Sequence, residues 1–201
     1  MILSYKNTFK SLLATAFLAC AFSSQASAAV EVGGVKFEDS VKVAGKDLKL
    51  NGAGIRTKLF FKVYAAGLYL TERKTNTADI LKSDGPRRVA ITFLRDVSTD
   101  DFGQSFMTGI NKNTDEAERT RLATQIARLG ELLGNFDSMK KGDVMNIDWI
   151  PGTGTQISMN GKKVGDLPSE IGAYNATLRI WLGEKPADAG LKKAMLNAPN
   201  T

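Results

Sequence analysis

A long apolar run extends from Leu59 to Leu70, where aromatic, β-branched and aliphatic residues follow one another and Lys62 is the only charge. Such a run predicts a central strand buried on both faces. Ahead of it stand Asn51-Gly52 and Gly54, turn chemistry that predicts a hairpin because two-residue hairpin turns need positive φ at their central positions. Upstream, VEV, VKF, SVKVAG and LKLNG fill Val30 to Leu50 around Gly33-Gly34. Their alternation predicts short, half-exposed antiparallel strands. Downstream, Thr77 to Leu81 reads as a short helix ended by Gly85-Pro86, and Arg87 to Leu94 returns to strand.

Two helical stripes follow. Ser98 is the expected cap of a helix with Phe102, Phe106 and Ile110 on one face and Asp101 three residues after the cap. Asn113 or Thr114 is the expected cap of the next, along which Leu122, Ile126, Leu129, Leu133 and Phe136 repeat at helical spacing. Asp143 to Ile150 and Thr155 to Met159 flank Pro151-Gly152-Thr153-Gly154 as a hairpin, and Asn160-Gly161 turns the chain into Lys163-Val164. Pro168 opens a helix through Trp181 stopped by Gly183, and Asp188 to Leu196 adds a short one. Strands, two helices, strands, then helices describe an α+β domain, an antiparallel sheet with helices gathered on one side.

Residues 1 to 28 do not belong to that pattern. Lys6 and Lys10 precede the apolar SLLATAFLACAF, and Ala26-Ser27-Ala28 closes it with the small-x-small order of a signal-peptidase site. The expected organisation is a signal peptide over 1–28 and one domain over 29–201, soluble and exported, periplasmic or secreted. No later stretch reaches the roughly 18 apolar residues of a membrane-spanning helix. Removal of the segment takes away Cys20, the single cysteine, and lowers the formal charge from +6 to +4.

Composition narrows the chemistry. There is no histidine, and no cysteine beyond Cys20, so serine–histidine triads, cysteine–histidine dyads and the ordinary zinc sets are excluded from the mature chain, and no metal or cofactor is expected. Basic residues are scattered as pairs without aromatic interleaving, which argues against a nucleic-acid partner. Asp100-Asp101 and Asp115-Glu116 fall in first turns of helices, where carboxylates favour the positive end of the dipole. What remains is Arg56, with Tyr64, Tyr69 and polar positions of the Ser98 helix. A guanidinium in so apolar a setting requires either an internal carboxylate or an anionic ligand.

The segment GAGIRTKLFFKVYAAGLYL resembles the glycine-x-arginine strand and the following apolar strand of the chalcone isomerase family, above all its exported bacterial chalcone isomerase-like members. FLRDVS (Phe93 to Ser98) and LRIWLGEKPAD (Leu178 to Asp188) are similar to that family too, and the likeness runs from about Val35 to Leu196. It implies an open-faced β-sandwich, a large antiparallel sheet covered by helices. The plant enzyme closes a chalcone to a flavanone by intramolecular addition of a phenolate oxygen. By resemblance its arginine corresponds to Arg56 and its strand threonine to Tyr64. Its helix tyrosine corresponds to Phe106 in Gly103-Gln104-Ser105-Phe106, its lysine to Gly109 and its asparagine to Asn113. Loss of the phenol and the ammonium removes donors whose absence can cost about 3 to 4 kcal/mol each in a transition state.

Non-catalytic branches of the family bind fatty acids through the arginine. The resemblance therefore implies, first, an exported binder of a fatty acid or similar apolar acid, with Arg56, Tyr64, Phe106 and Asn113 as ligand-binding residues. An intramolecular lyase on a phenolic substrate, with Arg56 catalytic, and a pocketless adaptor stand behind it. Asn113 has the alternative role of capping the helix at Asp115. One spacing is awkward: on a straight strand Arg56 and Tyr64 would lie roughly 26 Å apart at about 3.3 Å per residue, and no glycine, proline, asparagine or aspartate between them marks a turn. Exported protein should begin at or near Ala29; N-terminal sequencing that returned Met1 or a lipid-linked Cys20 would overturn the localisation.

Overall fold

The computed structural model describes residues 29–136, 138–168 and 170–197, so the segment 1–28 with its expected cleavage site lies outside the described residues. In chain order the strands and helices are β1 (Val30–Val32), β2 (Val35–Phe37), β3 (Ser40–Val43), β4 (Lys46–Lys58), β5 (Phe61–Leu70), α1 (Thr77–Lys82), β6 (Arg87–Phe93), β7 (Val97–Ser98), α2 (Thr99–Lys112), α3 (Glu116–Arg121), α4 (Ala123–Gly134), β8 (Ser138–Met139), β9 (Val144–Ile150), β10 (Gly154–Met159), β11 (Lys162–Leu167), α5 (Ile171–Leu182) and α6 (Ala189–Met195). Seven strands form one antiparallel sheet in the order β11-β10-β9-β6-β5-β4-β3. The α+β reading of the sequence is the observed architecture.

Alternation along β5 and β6 splits the interior in two. Leu68, Leu70, Val89, Ile91 and Phe93 face the helices and pack with Phe106, Ile110, Leu178 and Trp181. Ala65 and Tyr69 face the other way, where Phe37, Leu48 and Leu50 form a smaller core beside the β1–β2 ribbon. The hairpin read from Pro151 to Gly154 and the turn at Asn160-Gly161, with φ of 51° and 77°, are present between β9, β10 and β11.

Four expectations are corrected. Asn51-Gly52 is not a hairpin turn but the middle of β4, where the register with β5 passes from Leu50↔Tyr69 to Gly52↔Leu68 and leaves Asn51 as a bulge residue. The same backbone chemistry that favours a turn thus supplies an irregularity within a strand. The turn lies instead between Lys58 and Phe61, which pair across it, with Leu59 at a φ of 57°. Leu59, Phe60 and Phe61 are therefore an exposed apex and only Val63 to Leu70 is the buried run. Arg56 and Tyr64, far apart on a straight strand, become direct cross-strand partners. Finally, the long second helix is two: Asp115, not Asn113 or Thr114, caps α3 by accepting the Glu118 N–H at 2.7 Å, and the chain breaks at the buried Leu122 before α4.

The bulge is pinned from two directions. Asn51 is buried; its amide donates to the Met195 carbonyl at 2.7 Å and to the Lys74 carbonyl at 2.9 Å, and its Oδ1 accepts from the Lys74 N–H at 2.7 Å. Beside it, a Cβ on Gly52 would collide with the Ala194 carbonyl and one on Gly54 would stand 2.7 Å from the Ala194 Cβ, so these glycines let α6 lie directly on β4. Asn51→Ala leaves three backbone groups unmatched, one buried and two half-buried, and should lower the unfolding free energy by about 2 to 4 kcal/mol. Urea titration of the variant checks this; a midpoint unchanged from the parent would show that the bulge is held by something else.

Candidate functional site

The site is assembled by two bulges. The first, at Asn51, turns Gly52, Gly54 and Arg56 toward the helices, on the face of their partners Leu68, Ala66 and Tyr64. The second, between Arg56 and Thr57, leaves Val63 as the extra residue of β5 and buries it beside Tyr64. The Arg56 guanidinium carbon sits 5.4 Å from the centre of the Tyr64 ring. Behind that ring lies a chain of edge and tilted contacts: Tyr64 to Phe93 at 6.1 Å, Phe93 to Phe102 at 5.6 Å, Phe102 to Phe106 at 6.1 Å and Phe106 to Trp181 at 6.4 Å. The stripe of α2 thus supplies two rings, and α5 supplies the last.

Trp181 donates its indole N–H to the Tyr64 hydroxyl at 2.8 Å, closing the chain back on the arginine. Indole is a donor only, so the phenol accepts there and keeps its own proton to give. Burial raises the Tyr64 pKa, opposed by the Arg56 charge and the Trp181 hydrogen bond. The phenol is accordingly a neutral donor beside a cation.

Arg56 differs from most half-buried arginines of the chain. Arg88 holds Asp148 with two contacts of 2.6 Å, and Arg179 holds Glu118 at 2.6 Å. Among the described residues the Arg56 side chain makes no ion pair, and its Nε is buried without a hydrogen-bond partner. Arg87, also partly unmatched, is sealed at the opposite end of the sheet, stacked 5.2 Å from Tyr174 and donating to the Ile80 carbonyl.

Of the expected site residues, Arg56, Tyr64 and Phe106 come together, with Phe102, Ser105, Ile180, Trp181 and Ala187, around a space of about 10 Å³. That is room for roughly one water. Two open clefts flank it and share Arg56, Lys58, Asp101 and Ser105: one of about 190 Å³ along Val63, Val97 and Phe102, and one of about 340 Å³ reaching Lys112 and Lys185. Their acids are engaged, Asp101 with the Ser98 cap and Asp96 with Lys140 and the Lys141 N–H. A larger depression of about 550 Å³ lies elsewhere, beside Asn51 and Arg73, but Arg73 is already bonded to Asp39 and to the Leu50 carbonyl.

Asn113 is not part of this lining. It ends α2, donates to the Gly109 and Lys185 carbonyls and accepts from the Lys185 N–H, each at 2.9 Å, and so fixes the Lys185 loop at the rim of the wider cleft. Gly109, where the resemblance aligned a lysine, is a helix crossing: a Cβ there would stand 2.7 Å from Ile180. Trp181, Ser105, Lys58 and Lys185 were not singled out from the sequence. Trp181 and Lys185 lie in the Leu178 to Asp188 segment that resembles the family, Lys58 ends the strand of Arg56, and Ser105 is one of the polar positions of the Ser98 helix.

Tyr64, Tyr69 and Tyr174 are the tyrosines downstream of Ala29, and all three have raised pKa values, burial being the main cause, with Tyr69 pushed up to about 12. The unfolded chain ionises them near pH 10. The stabilisation is therefore full below about pH 10 and is lost as the pH climbs through the folded values. The native chain from Ala29 should show almost no tyrosinate absorbance at about pH 10.5, where the urea-unfolded chain is largely ionised; a native titration centred near 10 would contradict the burial.

The comparisons with known proteins agree with the geometry. No curated protein matches the chain in sequence. Among solved structures, a fatty-acid binding protein of Arabidopsis thaliana is similar, with a TM-score of 0.63 at 16% identity over 82% of this chain and 92% of that one. At that identity the likeness speaks for the fold. The model of the family described as chalcone isomerase-like matches residues 29–197, the span that holds every strand and helix described above, and the chain therefore belongs to the chalcone isomerase-like family.

Proposed function

We propose that this protein acts after export as a non-catalytic binder of a fatty acid or similar small apolar acid, anchored by Arg56. The observation that carries the reading is the unpaired guanidinium of Arg56 at the junction of two clefts whose acids are otherwise engaged. A carboxylate would meet a cation and the free proton of the Tyr64 phenol together, while its tail lies along Val63, Val97 and Phe102. The similar Arabidopsis structure is that of a fatty-acid binding protein, which supports an acid as ligand. Binding is preferred to turnover because Phe106 offers no hydroxyl and Gly109 faces Ile180 without room for a side chain. With the interior so closed, the clefts suit a medium-length rather than a long alkyl chain.

Charge-assisted hydrogen bonds of this kind contribute about 1.5 to 3 kcal/mol, so Arg56→Ala should weaken decanoate binding roughly 10- to 100-fold in calorimetric titration. Arg56→Lys should recover part of the affinity, since one ammonium does not reproduce a planar two-pronged contact. Methyl decanoate should lose affinity to a similar degree in the parent protein. Stability should change by no more than about 1 kcal/mol, the scale of an exposed cation–π contact. Unchanged decanoate affinity in Arg56→Ala would refute the anchor, and absence of any binding would favour the adaptor reading.

A further inference from the structure

The β4–β5 apex carries three consecutive apolar side chains with no structural use. Leu59, Phe60 and Phe61 are 82%, 94% and 57% exposed and belong to neither core. Leu59 takes a φ of 57°, a conformation that glycine or asparagine would adopt at lower cost, so leucine stands there against local backbone preference. Lys58 and Lys62 bracket the apex, both exposed, and Arg95 lies 4.7 Å over the Phe61 ring. Of the neighbouring acids, Asp96 is bonded to Lys140 and the Lys141 N–H, and Asp188 to the Thr57 and Leu191 N–H groups. The apex is therefore apolar at its tip and cationic around its collar.

We propose that this apex docks on an anionic phospholipid surface, the Leu59–Phe61 side chains entering the interface while Lys58, Lys62 and Arg95 meet lipid phosphates. Two features favour a bilayer over a protein. The tip is a tight turn between paired Lys58 and Phe61 whose apolar side chains are mostly exposed, and a fluid interface accepts such a tip without a matching pocket. The collar has the charge that an anionic leaflet attracts, and insertion by about 5 to 10 Å, the usual depth of interfacial segments, covers the apex. Because Lys58 also borders both clefts beside Arg56, docking would bring their mouths to the lipid surface. The inference does not depend on acid binding and stands if no acid binds.

The test is co-sedimentation of the chain from Ala29, which holds every described strand and helix, with vesicles of phosphatidylcholine containing increasing phosphatidylglycerol. Binding should rise with phosphatidylglycerol, fall with added salt, and drop by about fivefold for each of Lys58→Gln and Lys62→Gln. The Phe60→Ser/Phe61→Ser double variant should bind at least about tenfold more weakly with an unchanged melting temperature, since both sites are exposed. A blue-shifted emission from the Phe60→Trp variant on these vesicles, absent with phosphatidylcholine alone, would support insertion. Equal binding by parent and double variant, or no binding at any phosphatidylglycerol content, would overturn the proposal. So would self-association in sedimentation equilibrium that is lost in the double variant and accompanied by no vesicle binding, which would assign the apex to contact between copies of the chain.

Discussion

A single extra residue in one strand decides which way the site faces. In an antiparallel sheet a slip of one position moves every later side chain to the opposite face. Leu50, before the bulge, points into the smaller core with Tyr69; Gly52, after it, points to the helices with Leu68. Remove the bulge and Arg56 turns away from Phe102, Phe106 and Trp181 toward the β1–β2 side. Such an irregularity persists only where its backbone is held, and the Asn51 amide holds it by bonding both the loop before α1 and the last turn of α6. The buried polar side chain has a position to define, and three hydrogen bonds offset its desolvation.

Close approach of the layers then sets the size of the interior. Gly52 and Gly54 bring α6 onto β4, and Gly109 brings α2 onto α5 at Ile180. With the helices this near, the rings of Phe102, Phe106 and Trp181 meet in tilted and edge-to-face contacts and fill the space under Arg56 almost completely. Open volume is consequently displaced outward, to clefts on either side of the guanidinium. The departure from lysine at Gly109 is therefore steric as well as chemical: the helix crossing that packs the aromatic chain is the same one that excludes a side chain there.

Periodicity made most elements legible because it reports burial directly. The α2 face of Phe102, Phe106 and Ile110 is buried as its spacing implied, and Ser98 caps the helix while bonding Asp101. Turns were less legible where sequence and backbone conformation disagree. Leu59 makes a left-handed turn with a residue that does not advertise one, and Asn51-Gly52, which does, lies in a strand. That exchange moved the hairpin by several residues and hid the pairing of Arg56 with Tyr64. In the site, Arg56 stood out because a charge in an apolar run is conspicuous, Tyr64 remained once other chemistry was excluded, and Phe106 entered through family likeness. Trp181 did not, because an indole in an apolar helix looks like core until its N–H is seen on the Tyr64 hydroxyl.

The lone state of Arg56 also has a local cause. Asp188 is the acid best placed to neutralise it: one of its oxygens accepts the N–H of Thr57, the residue after Arg56, and its charge is felt at Tyr64. Its other oxygen accepts the Leu191 N–H at 2.9 Å and caps α6. Both oxygens are thus held by backbone donors that join the start of α6 to the end of β4. An aspartate in this position lends the region negative charge without offering Arg56 a direct partner. Arg88 and Arg179, by contrast, each hold a carboxylate at 2.6 Å. At Arg56 the neighbouring carboxylate is instead held by two backbone donors that join α6 to β4, and among the described residues the guanidinium has no ion-pair partner.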